Sequence, residues 1–218
     1  NQDLASKLER LFTSEGYEPE NLESAVLALE RQIHRWFVTP RTAPMARYLF
    51  RKLSYRGLAV GSSENEEFDV SMPSKFFKLM SSGQARAGLN RLKSMEKNIQ
   101  HRKKIAKLYG ELLESTGWPS VNLPSAYEPV FVAYPVRVAE KDAVLEQAPR
   151  EMIEIGSWFE SPLHPKETRL EKYGYEQGMC PEAEKASREV ITLPTHPGVS
   201  EKEAIRIVDK IVRLTDYA

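Results

Sequence analysis

The chain has 218 residues, of which 41% are hydrophobic, enough for one large domain or two small ones with a buried core. Its 31 Lys and Arg residues balance 31 Asp and Glu residues, so the overall charge does not favour nucleic acid as a partner. A single cysteine excludes an internal disulfide, and no apolar run is long enough to cross a membrane. We therefore expect a cytoplasmic protein, and because the chain starts at Asn1 without a methionine we expect it to be part of a longer one.

Three amphipathic helices are predicted in the first quarter of the chain. Apolar residues on one face predict helices over 1–14 and from Asn21 to the residue before Thr39-Pro40. The second helix ends there because a residue that precedes proline resists the α-helical region. A third helix is predicted over about 44–55.

The stretch 31–63 contains no acidic residue and interleaves basic with aromatic side chains. Such a mixture suits an anion site or a helix at a membrane surface, and Arg41 and Arg47 are our candidates for binding an anionic substrate. The alternative is a solvated basic face over an aromatic core, balanced by the acidic run 64–69. The sequence leaves both alternatives open.

The segment from Ser81 to Ser115 is predicted to be one long helix. Apolar or small residues recur along it every 3.6 residues, and only Arg102 breaks the stripe. Such a helix is longer than a compact half-domain needs, so we expect it to connect two bodies. The predicted division is 1–80, then the connecting helix 81–115, then a small domain over 116–218.

The small domain is predicted to be α+β with a short antiparallel sheet. Period-2 alternation predicts a strand over about 130–138. A second strand is predicted over 152–159, interrupted by Gly156, and a third short one over 189–193. Helices are expected over 142–147, from Pro181, and from a capping box formed by Ser200 and Glu203.

No phosphate loop, metal-binding spacing or nucleophile elbow occurs in the sequence. His164 is the one histidine that we single out, because a loop histidine among polar neighbours suits contact with an anionic ligand. Its neighbours in the sequence are Ser161, Lys166, Arg169 and Tyr173. A turn-stabilising role is the equally weighted alternative.

Two blocks resemble the DegT/DnrJ/StrS type of sugar aminotransferase. The first is MSSGQARAGLNRLKSMEKNIQHRKKIAKLY over 80–109, with a Gly-Leu pair and an Arg-x-x-x-Ala-x-x-Tyr ending. The second is CPEAEKASREVITLPTHPGVSEKEAIRIVDKI over 180–211, with a Leu-Pro-x-His-Pro turn before a closing helix. Weaker resemblance extends to DLASKLERL and IEIGSWFESPLHP.

The resemblance implies the C-terminal part of a fold-type-I enzyme that depends on pyridoxal phosphate and works as a homodimer. Such enzymes transfer an amino group, commonly from glutamate, to a keto group of a nucleotide-linked sugar. The lysine that binds the cofactor would lie upstream of Asn1, so this chain alone is not expected to be active and contains no catalytic residue.

The family commonly has an Asn-Tyr-Arg-Met run before the long helix, from which one subunit reaches the partner's cofactor phosphate. This chain has Phe77-Lys78-Leu79-Met80 instead. Lys75 or Lys78 is therefore the predicted source of the positive charge for the phosphate.

Two other classes of function compete with the aminotransferase. One is a non-catalytic module of the same family that retains its dimerisation or partner-binding surfaces. The other is peripheral attachment to a membrane through the basic aromatic stretch.

Overall fold

The computed structural model describes residues 2–39, 41–43, 45–46, 49, 77–124, 126–164 and 170–218. Within these ranges no helix combines the length and the hydropathy needed to cross a bilayer. The predicted third helix, over about 44–55, lies mostly outside the described residues.

The first two predicted helices are confirmed as α1 (Gln2–Glu15) and α2 (Asn21–Phe37). No residue of α1 is buried, although Leu4, Leu8, Leu11 and Phe12 share its apolar face. The residues that follow α1 contact the segment that precedes Ser81, because Tyr17 pairs with Lys78 in an isolated parallel bridge. The apolar face of α1 is thus largely in contact with solvent.

The prediction of one continuous helix from Ser81 to Ser115 is wrong. The segment forms two helices, α3 (Ser82–Leu92) and α4 (Met95–Ser115). At the break the Ser94 hydroxyl donates to the carbonyl of Arg91 over 3.0 Å, in competition with the helical backbone pattern. Periodicity did not reveal the break, because apolar residues return in the same phase on both sides of it.

The predicted small antiparallel sheet is confirmed, with two strands. Strand β1 (Ala133–Arg137) pairs with β2 (Val190–Pro194), and Pro135 lies opposite Thr192. Strand β1 pairs only with β2 in the described structure and is thus an edge strand, which accommodates a proline that cannot donate to the ladder.

The second predicted strand, over 152–159, is reduced to a single bridge between Gly156 and Thr192, made by two backbone hydrogen bonds of 2.8 and 2.9 Å. The chain makes no further pairing with β2 after Gly156 in the described structure. Instead the carbonyls of Ser157 and Phe159 accept hydrogen bonds from the ammonium of Lys141.

The remaining helices are α5 (Lys141–Gln147), α6 (Pro181–Glu189) and α7 (Glu201–Leu214), with a 3-10 turn at Leu170–Tyr173. Ser200 caps α7 by accepting a hydrogen bond from the Glu203 amide, so half of the predicted capping box forms. The Glu203 carboxylate pairs with Arg206 instead of returning to the cap.

One hydrophobic core lies between α4, α7 and the sheet. Helix α4 buries four residues, among them Ile105, Tyr109 and Leu113, against the buried face of α7. Ile191 from β2 and Ile207 from α7 are fully buried in the same cluster. By contrast, no residue of α1 or α3 belongs to this core.

Arg102, the residue that breaks the apolar stripe of α4, joins this helix to the ends of the sheet. Its guanidinium donates to the carbonyl of Val132 over 2.7 Å and to the hydroxyl of Thr195 over 2.9 Å. The same side chain is held along the helix by Asn98, over 2.8 Å. A basic residue in the apolar stripe is therefore compatible with packing because its donors meet oxygen atoms.

Candidate functional site: an aromatic cleft beside the sheet

A cleft of about 630 Å³ lies beside the two-stranded sheet. Its walls come from β1, β2, helix α6 and the segment 158–164, which we call the aromatic segment. Most of the lining is apolar. Helix α6 contributes the small side chains of Ala183 and Ala186. Small residues on the helix leave room for a ligand between it and the aromatic segment.

Three rings form the aromatic side of the cleft. Trp158 stacks on Phe159 with ring centroids 5.2 Å apart and an angle of 18° between the planes. His164 meets both edge-on, at 5.8 Å from Trp158 and 6.0 Å from Phe159. About half of the surface of Trp158 and of Phe159 is exposed, so both rings remain accessible to a flat ligand.

His164, a substrate-binding candidate from the sequence, therefore lies in a cleft and next to aromatic rings. Its predicted neighbour Ser161 also lines the cleft. Lys166 and Arg169 are outside the described residues. An imidazole at the edge of an apolar cleft provides a hydrogen-bonding group for a polar or anionic part of a ligand.

Lys141, which the sequence did not single out, contacts the backbone of the aromatic segment. The Lys141 ammonium donates to the carbonyls of Ser157, Phe159 and Ser187, over 2.9, 3.1 and 2.7 Å. In the sequence Lys141 is simply a basic residue at the start of a short helix, and nothing in the local pattern indicates that its side chain is buried.

The other predicted site residues lie elsewhere. Lys78 is in an ion pair with Glu23, with its ammonium 2.8 Å and 2.9 Å from the two carboxylate oxygens. Arg41 is exposed and lies 3.6 Å from the carboxylate of Glu203 at the start of α7. It does not line the cleft that contains His164. Lys75 and Arg47 are outside the described residues.

A polar cluster outside the cleft surrounds the turn between β2 and α7. His196 is 3.1 Å from the Glu154 carboxylate through Nε2, and its Nδ1 accepts the amide of Gly198 over 3.2 Å. Nε2 therefore carries the proton and donates to Glu154. Tyr109 donates to the carbonyl of Pro194, and burial, followed by the charges of Glu154 and Glu203, raises the pKa of its hydroxyl. These contacts hold the turn against α4.

Pyridoxal phosphate, the cofactor that the resemblance implies, requires a lysine whose neutral amine can reach it. Among the described residues, Lys141 is enclosed by three carbonyl groups and Lys78 is paired with a carboxylate. Neither side chain presents a free amine to a cofactor.

The sequence model of the DegT/DnrJ/EryC1/StrS aminotransferase family matches residues 44–212. A pleiotropic regulatory protein from Geobacillus stearothermophilus is 29% identical over 120 residues, 54% of this chain and 32% of that protein. An uncharacterized protein from Methanocaldococcus jannaschii is 25% identical over 138 residues, 60% of this chain and 36% of that protein. The chain thus spans about a third of the length of these curated relatives.

Two solved structures are also similar. A DegT DnrJ EryC1 StrS aminotransferase from Brucella abortus matches with a TM-score of 0.53 and 23% identity, over 70% of this chain and 39% of that chain. DesV from S. venezuelae, in complex with a ketimine intermediate, matches with a TM-score of 0.49 and 26% identity, over 60% of this chain and 35% of that chain. The first of these likenesses identifies the fold as part of an aminotransferase fold.

Proposed function

This chain belongs to the DegT/DnrJ/EryC1/StrS aminotransferase family, and we propose that it is the C-terminal portion of an enzyme that aminates a nucleotide-linked keto sugar. Members of the family generally use pyridoxal phosphate and are generally dimeric. In our proposal a lysine upstream of Asn1 binds the cofactor, glutamate supplies the amino group, and the assembly is a homodimer in the cytoplasm.

The observation that carries the substrate proposal is the aromatic cleft within the matched region. A nucleotide has a flat base and an anionic diphosphate, and the cleft offers a group for each. The base would stack against the rings of Trp158 and Phe159, which are half exposed. His164, at the edge of the same rings, would bind the diphosphate or the sugar hydroxyls by a hydrogen bond.

Binding of UDP and TDP by the full chain tests this use of the cleft. We expect saturable binding by calorimetry, and a loss of affinity of about 1–3 kcal/mol for Trp158→Ala because stacking on the ring disappears. His164→Ala should weaken UDP more than uridine, since only UDP carries the diphosphate. Trp36→Ala is the matched control, because Trp36 is an exposed tryptophan of α2 outside the cleft.

Equal affinity of the Trp158→Ala and Trp36→Ala variants would contradict the assignment of the cleft to the nucleotide.

The transamination reaction is tested with the product of the longest reading frame that contains this chain. With pyridoxal phosphate, glutamate and a nucleotide-linked keto sugar, we expect the visible absorbance of lysine-bound cofactor and release of 2-oxoglutarate. Lack of both would contradict the enzymatic proposal.

We also retain Lys75 and Lys78 as proposed ligands of the cofactor phosphate in that longer protein. For Lys78 this requires exchange of its ion pair with Glu23 for the phosphate. Replacing both lysines by Met should weaken binding of pyridoxal phosphate at least about tenfold, since a charge-assisted hydrogen bond is lost. Unchanged cofactor affinity in the double variant would reject both residues.

A further inference from the structure

Lys141 is buried although it is charged, with 5% of its surface exposed. It is the first residue of α5, and its side chain extends into the protein and away from solvent. Its ammonium contacts two different parts of the wall of the cleft. Phe159 belongs to the aromatic segment, Ser157 directly precedes that segment, and Ser187 belongs to helix α6.

The three contacts match the bonding capacity of a charged lysine. An ammonium group has three N–H donors and no acceptor, and here three carbonyl oxygens lie 2.7–3.1 Å from it. A buried ammonium is strongly unfavourable unless such partners are present. The ammonium and the three carbonyls therefore constrain one another.

The three carbonyls that bind Lys141 belong to residues in or directly beside the walls of the cleft. Ser157 and Phe159 are the residues on either side of Trp158, so Lys141 holds the backbone before and after the indole. Ser187 itself lines the cleft on α6, and its carbonyl makes the shortest of the three contacts. One ammonium group thus ties the aromatic wall of the cleft to its helical wall.

We propose that Lys141 is a positioning residue, which sets the separation of the two walls and fixes the orientation of Trp158. This inference rests on the proposed function where it concerns the substrate, because the cleft is the proposed site of the nucleotide. The geometric part of the proposal does not depend on any ligand. The two parts can therefore be tested separately.

The ligand-free test measures the local motion of Trp158. In a full chain that carries Trp36→Phe and Trp118→Phe, Trp158 is the only tryptophan and reports by time-resolved fluorescence anisotropy. Lys141→Met keeps an unbranched side chain that is one heavy atom shorter and removes its donors. We expect the amplitude of the fast local motion of the indole to rise about twofold.

The matched control is Lys185→Met, which removes a half-exposed lysine of α6, the helix that contains Ser187; this lysine lies 3.9 Å from Glu189. It should leave the motion of Trp158 unchanged. If Lys141→Met does not fold, Lys141→Ala with added propylammonium replaces it as the test. Restoration of the wild-type anisotropy by propylammonium, and not by propanol, is then expected, because only the cation supplies the three donors.

UDP is the probe for the substrate part. We expect Lys141→Met to weaken UDP binding about tenfold, and Lys185→Met to leave it unchanged. If the wild-type chain binds no UDP but Lys141→Met still frees Trp158, the nucleotide proposal fails and the positioning role stands. If Lys141→Met changes neither the motion of Trp158 nor the affinity for UDP, the positioning role is overturned.

Discussion

Gly156 shows how a single residue determines the path of the chain into the cleft. It makes the only residue pairing between the segment 153–159 and β2 within the described structure, two residues before Trp158. A Cβ placed on Gly156 would lie 2.4 Å from the hydroxyl oxygen of Thr192. The Thr192 side chain therefore occupies the space that a Cβ at position 156 would need, and glycine avoids this overlap.

We predict that Gly156→Ala lowers the free energy of unfolding by about 1–3 kcal/mol, because the methyl group overlaps Thr192. Urea denaturation measures the change. Gly88→Ala is the control, since its Cβ would meet nothing within 4 Å on helix α3, and it should stabilise by about 0.5–1 kcal/mol. Adding Thr192→Ala to Gly156→Ala should recover most of the loss, and no recovery would show that the overlap is not its cause.

Glu151 gives a prediction for acid pH. The hydrogen bond from Lys210, followed by the charge of that residue, holds the pKa of Glu151 below its ordinary value of 4.5. Since the folded-state pKa is the lower one, the contribution to stability is complete above about pH 4.5 and is lost as pH falls through the folded-state value.

The urea midpoint of the wild-type chain should therefore fall on acidification below pH 4.5, and Lys210→Met should reduce that fall. Lys202→Met on the same helix α7 is the control, and its acid dependence should equal that of the wild type. The difference between the two variants should be small, because Glu151 is in contact with solvent. A Lys210→Met profile parallel to the wild-type profile would contradict the prediction.

At the scale of elements, the helices fall into two groups. Helices α4 and α7 each bury several residues in the core, whereas α1 and α3 bury none. A helix of 11 to 14 residues without tertiary burial is marginal in water, because propagation gains little over the cost of nucleation. The apolar face of α3 is exposed at Leu89 and Leu92.

We predict that amide hydrogens of α1 and α3 exchange at least about a hundredfold faster than those of α4 and α7. Hydrogen exchange of the full chain, read out by mass spectrometry, measures this. The peptides of α4 and α3 adjoin in the sequence, so each is an internal reference for the other. Equal protection of the two would mean that α3 has tertiary contacts that its exposure does not show.

At the scale of the whole molecule, one core supports the cleft. The sheet contributes buried residues to the core that α4 and α7 form, the aromatic segment and α6 line the cleft beside this sheet, and α1 lies outside the core. The cleft should therefore be lost when this core unfolds, and it should not depend on α1.

Ile207→Ala tests this unit. Ile207 is fully buried in α7, and removal of its side chain should cost about 2–5 kcal/mol of unfolding free energy. We expect faster exchange throughout α4, α7 and both strands, with α1 unchanged. Ile205→Ala, at a position 45% exposed on the same helix, should change exchange little. An effect of Ile207→Ala confined to α7 would argue against a single cooperative core.

The sequence predicted the elements whose signals are local. Helices α1, α2, α5, α6 and α7 follow from apolar periodicity and end residues, strand β1 follows from alternation, and β2 was predicted as a third short strand. The resemblance of two blocks predicted the family, which the match over residues 44–212 confirms. His164 was predicted as a candidate from its loop neighbourhood, and its role as a ligand of the substrate stays a prediction.

Only the tertiary structure decided what depends on partners distant in the sequence. The burial of Lys141 depends on carbonyls 16, 18 and 46 residues away, and the single bridge at Gly156 depends on Thr192. Periodicity reports which face of an element is apolar, but it contains no information about which groups meet that element in space. For this reason the sequence alone determined most of the elements, the family and one residue of the cleft, while the helix break, the walls of the cleft and the lysine that joins them appeared only in the folded chain.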